Sequence, residues 1–222
     1  MRRREFTAAL SIPALPGVAA AAVSETDAAT GVRAALERGA LAAVAVLGKA
    51  DGFLGNPQVR IPLPGFLNDA AKLMRAAGQG KKLDELVTAM NRAAEAAVPM
   101  AKPLFVNTVK AISVEDALKI VRGGGTSVTD FFAGKTRLPL AEKFLPIVTQ
   151  ATEKVSLAQR YNAVAGKAAG LGLVRGDETS VQTYVTGRAL DGLFLMIGEE
   201  EKKIRADPLK SGSAILKKVF GS

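Results

Sequence analysis

The stretch TSVQTYVTGRALDGLFLMIGEEEKKIRA, Thr179 to Ala206, decides the fold. Its apolar positions are Val181, Tyr184/Val185, Leu193/Phe194, Ile197 and Ile204. They return at steps of three, four, seven and eight, the spacing that keeps side chains on one face of a helix with 3.6 residues per turn. The spacing predicts a long helix ending before Pro208, because a proline disfavours helical backbone in the residue before it. Asp191 interrupts the apolar face, and a polar group there is costly if buried alone, so it is expected to pair or to line a cavity.

Working outward, the same period recurs along the chain. Val32, Leu36, Ala40, Ala43/Val44 and Leu47 form one stripe, with Asp27 or Thr30 as candidate N-cap and Gly48 as the stop. Phe66, Leu67, Ala70, Leu73, Met74 and Ala77 form another, ended by Gly78 and Gly80. A third, Leu83 to Ala97, is expected to break at Pro99, which would open the next helix to about Ile112. Ser113-Val-Glu-Asp116 is a capping-box variant that opens a short helix through Val121. After Gly123-Gly-Gly125, Thr126 or Ser127 caps Val128, Phe131 and Phe132. Pro139 is expected to start a separate helix with Leu140, Phe144, Ile147/Val148 and Ala151, and a further segment runs from about Ser156 to Ala169. Only Val59-Arg-Ile-Pro-Leu-Pro64 alternates with period two, and its prolines confine it to an extended or edge conformation. No fixed repeat period occurs, which argues against a solenoid. The expectation is an all-α fold: one domain, residues 27–222, an irregular helical bundle of about eight helices.

The 222 residues contain no Cys and no His, and also no Trp. That composition excludes thiolate nucleophiles, Cys/His zinc sites, disulfides and any triad with an imidazole base. Carboxylate, lysine or tyrosine chemistry stays open, and no cofactor is expected. Arg2-Arg-Arg4 precedes a weakly apolar run from Phe6 to Ala22, with small residues at Ala20-Ala-Ala22. This is the order of an export signal cleaved near Ala22, and Arg3-Arg-Glu-Phe6 has the R-R-x-F form of the twin-arginine route. The expected location is therefore the periplasm. Removing residues 1–22 takes away three Arg and one Glu, so the net charge of +9 becomes +7. Basic residues are scattered, and only two Tyr are available to stack on bases, so no nucleic-acid partner is expected. No segment reaches the length of a transmembrane span. The basic C-terminal turn with Ile215, Leu216, Val219 and Phe220 is amphipathic, suited to peripheral contact with a membrane or a protein.

Nucleotide-binding motifs fail on inspection. Gly134-Lys-Thr136 has Thr129 where a P-loop needs its first glycine, and Gly170-x-Gly172 has Arg175 where a third glycine is needed. Gly123-Gly-Gly125-Thr126 before a helix has two readings, an anion cradle and a plain turn. Asn91, Arg92 and Glu95 share one turn, with Asn91 and Glu95 on one face. Glu95 either is a buried functional carboxylate or pairs with Arg92. Asp116, Asp130 and Asp191 are the carboxylates that could join Glu95 around a hard cation, although no calcium-loop motif and no E-x-x-H pair exists. The loop from Lys49 to Pro64 is the leading ligand site, with Asn56 and Arg60 reaching from a stiff backbone. Its alternative is a strap across the bundle, with Phe53, Leu54, Ile61 and Leu63 filling hydrophobic gaps.

Asp51-Gly-Phe-Leu-Gly-Asn56 with Val59-Arg-Ile-Pro-Leu-Pro64 resembles the GGFLGN…VRIPLP signature of a bacterial family, domain of unknown function 4197. Met90-Asn-Arg-Ala-Ala-Glu-Ala96, Gly123 to Phe132, Ala189-Leu-Asp-Gly-Leu-Phe194 and the tail from Glu199 to Gly221 are similar as well. The resemblance spans residues 30–221. It implies an exported, mostly helical envelope protein and carries no catalytic residues over. Asp51 departs from the usual glycine. Two functions are weighed: a non-catalytic binding or interaction module, with a protein partner or a small apolar ligand held between helices, and a carboxylate-based, metal-dependent enzyme using Glu95 with Asp116 or Asp130.

Overall fold

Ser24 opens the first helix: its hydroxyl accepts the Asp27 N–H at 3.1 Å, one of the donors that a helix N-terminus leaves without an internal partner. Here the computed structural model, which describes residues 24–123, 126–170 and 178–207, departs from the expected Asp27 or Thr30 cap. The export segment and the C-terminal turn lie outside the described residues. The helices are α1 (Glu25–Leu47), α2 (Asn68–Ala76), α3 (Gly80–Ala97), α4 (Ala101–Lys110), α5 (Val114–Arg122), α6 (Ser127–Thr152), α7 (Ser156–Gly170) and α8 (Val181–Ala206). The fold is all-α, and no strand occurs among the described residues.

Two expected breaks are absent. Pro99 lies in a single 3-10 turn, Val98–Met100, through which α3 runs on into α4 without a gap. Proline there removes an N–H but does not turn the chain away, because a tighter turn accommodates it. Pro139 does not start a new helix either. It sits inside α6, as does Pro146. A proline inside a helix costs about 3 kcal/mol. Phe132, Leu140, Phe144 and Val148 offset this by packing into the core with no exposed surface, each gain being about 1.5–3 kcal/mol. With α3 and α4 joined, the described residues form seven separate helical segments rather than about eight.

The long helices carry one continuous core. α8 lies along α6 and α1, α3 packs on α6, and α1 is covered at its other side by α4 and α5. Phe105 of α4 meets Phe132 of α6 with ring centroids 4.6 Å apart. Two ties fix the pairing of α6 with α8. Arg137 pairs with Asp191, and Glu201 accepts the Thr129 N–H at 3.0 Å and its hydroxyl at 2.6 Å. Residue numbers rise along α6 as they fall along α8, so the two helices are antiparallel. Ser180 caps α8 through a reciprocal capping box with Thr183.

Candidate functional site

The segment between α1 and α2 has no regular secondary structure of its own, so its backbone polar groups must find partners elsewhere. It begins after Gly48 with Asp51 at φ 63°, a left-handed conformation open to Gly, Asn and Asp. An aspartate where the resembling family has glycine therefore keeps the same turn. The chain then dives inward: Phe53 and Ile61 are buried, and Leu54 and Leu63 are half-buried.

Helix α3 receives this segment with three polar side chains. Glu95, 5% exposed, accepts the N–H groups of Phe53 and Leu54 on one oxygen, at 3.0 and 3.1 Å. Its other oxygen accepts from Arg92 at 2.7 Å, and Arg92 reaches back to the Asp51 carboxylate at 2.7 Å. The hydrogen bond to Glu95, and then that to Asp51, raises the Arg92 pKa above its ordinary value. One turn earlier, the fully buried Asn91 accepts the Ile61 N–H at 2.9 Å. It donates to the Ile61 carbonyl at 2.9 Å and to the Val87 carbonyl at 2.8 Å. A side-chain amide thus supplies both bonds that a neighbouring strand would give to an extended residue. From α8, the Tyr184 hydroxyl donates to the Pro62 carbonyl at 3.0 Å. Gly192 lets the segment approach α8: a Cβ there would lie 2.8 Å from the Phe53 ring and 3.1 Å from Val59 Cβ.

Asn91, Arg92 and Glu95 are therefore brought together, and what they hold is the chain itself. The strap alternative describes the segment from Lys49 to Pro64. Asn56 accepts the Gln58 N–H at 3.1 Å in a local turn, while Arg60 is exposed. The other candidates are apart from this clamp. Asp116 sits in the first turn of α5 and accepts from Ser113, which caps it. Asp130 accepts from Thr126 at 3.1 Å at the start of α6. Asp191 is exposed and pairs with Arg137. Among the described residues no group of three or more carboxylates is gathered as a metal site.

Sequence reasoning passed over two features. Glu201 was part of an acidic run, yet it is 4% exposed and holds the N-terminus of α6. The only hint is its spacing from Ile197 and Ile204, four and three residues, on the buried face. The second feature is a cavity of about 230 Å³ under α2, walled by Leu67 and Met74 above, Leu83 and Leu86 of α3, and Leu157 and Tyr161 of α7. α2 itself contributes no fully buried residue.

Residues 22–221 match the family model described as "Protein of unknown function (DUF4197)". The chain belongs to this family. No curated protein and no solved structure matches it. In this DUF4197 chain, three of the stretches that carry the resemblance meet in space: the Asp51–Pro64 segment is the strap, Met90–Ala96 is its clamp, and Ala189–Phe194 supplies the glycine that receives Phe53. No helix among the described residues of the DUF4197 chain is long and apolar enough to cross a membrane.

Proposed function

We propose that this DUF4197 protein is exported to the periplasm and acts there as a non-catalytic binding module for a small apolar ligand. The observation that carries the binding reading is the cavity under α2. At about 230 Å³ it exceeds the roughly 150 Å³ apolar cavity known to admit benzene. Nearly every side chain around it is aliphatic or aromatic, with Arg160 at its edge. A short alkyl chain or a single ring matches that lining, with a polar end toward Arg160. Access fits as well. α2 is held only by half-buried side chains such as Leu67, Ala71 and Met74, so it is among the least costly elements to displace. Export rests on the N-terminal order of arginines, apolar run and small residues.

The test joins both parts. Expressed with its N-terminus intact in a bacterial host, the protein should fractionate with the periplasm, with a mature N-terminus close to Val23. The purified chain should bind short-chain fatty acids in a fluorescence displacement assay, and Ala71→Phe should abolish binding by filling the cavity. Retention of residues 1–22 in the cytoplasmic fraction would refute export. Undiminished binding by Ala71→Phe would refute the cavity.

A further inference from the structure

A second concavity, unrelated to the cavity under α2, runs between the antiparallel helices α6 and α8 and has a volume of about 610 Å³, within the range of small-molecule sites. Its chemistry is polarised. At one end Arg137 and Arg188 share one carboxylate, that of Asp191, with Arg188 3.8 Å away. One carboxylate between two guanidiniums leaves a unit of positive charge and most of their N–H donors unused. Arg188 also lies over the Tyr184 ring, 5.4 Å from its centroid, which orders it in advance. Toward the other end stand Glu142 and Glu178, neither of which forms an ion pair among the described residues. Pro146, lacking an N–H, also withdraws the helical partner of the Glu142 carbonyl.

Between these ends the wall is apolar and uncovered. Leu138 is 79% exposed and Leu145 38%, one above the other on α6, with Leu190 opposite. Thr186 in the same wall is 5% exposed, and its hydroxyl is buried with no partner. Gly187 leaves the floor open: a Cβ there would meet nothing within 4 Å, so alanine would improve the helix without touching any atom. The eight-residue step from Arg137 to Leu145 sets the length at about 12 Å by helix rise.

We propose that this groove binds short peptides with free ends. The C-terminal carboxylate sits on Arg137 and Arg188, the N-terminal ammonium on Glu142 and Glu178, and apolar side chains lie on Leu138 and Leu145. Three extended residues span about 10 Å, which fits the separation of the charged ends. A free amino acid or a zwitterionic lipid headgroup carries its two charges too close together to reach both. The cavity under α2 has no part in this, so either proposal can fail alone.

Isothermal titration calorimetry of the full chain with the tripeptide Leu-Ala-Leu tests the assignment. The free peptide should bind saturably, and N-acetylation or C-amidation should each weaken it about tenfold, the effect of losing one charge-assisted contact. Arg188→Gln should erase the preference for the free carboxylate over the amide. Gly187→Leu should abolish binding while its melting temperature stays at or above that of the parent, which separates a blocked groove from a damaged fold. Absence of saturable heat at millimolar peptide would overturn the proposal, and so would equal binding of the blocked peptides or unchanged binding by Gly187→Leu. Displacement of the peptide by low concentrations of a zwitterionic lysophospholipid would reassign the groove to a lipid and overturn it too.

Discussion

Replacing Glu95 by alanine should loosen the strap and destabilise the whole molecule. The carboxylate receives two backbone N–H groups, and its removal leaves both without an acceptor. The Phe53 N–H is buried, and that of Leu54 is partly so. An orphaned buried donor costs about 1–3 kcal/mol, so the first contributes near the upper end and the second near the lower, together about 3–4 kcal/mol. Total stabilities run about 5–15 kcal/mol, so this is a large fraction. In a chain of this length it corresponds to a fall in melting temperature of about 10 °C. Urea titration should show the midpoint falling at constant slope, since the surface exposed on unfolding does not change. Hydrogen exchange gives the local reading: the Phe53 and Leu54 amides should lose their protection before the α1 and α8 amides do. Asp51→Ala removes only the exposed end of the network, a pair in which Asp51 is 64% exposed, and should have much the smaller effect. A Glu95→Ala loss under about 1 kcal/mol, or one equalled by Asp51→Ala, would refute the claim that the buried carboxylate anchors the strap.

Asn91→Ala should cost about 2–4 kcal/mol in the same titration, because it strands both polar groups of Ile61 in a buried setting; a neutral outcome would mean that water replaces the amide. The two glycines of α8 should respond in opposite directions. Gly192→Ala should destabilise by about 1–3 kcal/mol through contact with Phe53 and Val59, whereas Gly187→Ala should stabilise by about 0.5–1 kcal/mol as measured by calorimetry. Glu201→Ala should cost about 2–4 kcal/mol by leaving the Thr129 N–H and hydroxyl unpaired, with faster amide exchange in the first turn of α6 as the specific sign.

How much of this was legible in the sequence follows from which forces are local. Helix periodicity is set by neighbours three and four residues away, so the stripes in α1 and α8 gave both their existence and their buried faces. The Ser113 cap was readable for the same reason. Pro99 and Pro139 misled because a local penalty met non-local packing: Phe132 and Phe144 on either side of Pro139 hold that helix through contacts far along the chain. Asn91, Arg92 and Glu95 were visible as a cluster, but their partners are about 30 to 42 residues away in the strap. The strap reading of Lys49–Pro64 could be framed from Phe53 and Ile61, yet nothing in the letters showed an amide acting as a strand. The groove was illegible for a similar reason, since Arg137 and Arg188 meet only once α6 and α8 lie antiparallel.

The contrast between the clamp and the groove also decides where a ligand can act. Both lone-pair sets of Glu95 are occupied by Phe53, Leu54 and Arg92, and the Asn91 amide is spent on Ile61 and Val87. A ligand addressing either side chain would first have to break those bonds and release a buried strap, at a cost comparable with its own binding energy. Arg137 and Arg188 are differently placed: they divide one carboxylate, stand about half-exposed, and face leucines that nothing covers. Binding there adds contacts without removing structural ones. Substitutions at Asn91 and Glu95 should therefore register first as lost stability, and those at Arg188 as altered recognition in a chain that still folds. If Arg188→Gln instead lowered the melting temperature as far as Glu95→Ala, the guanidinium would be structural and this division of labour would fall.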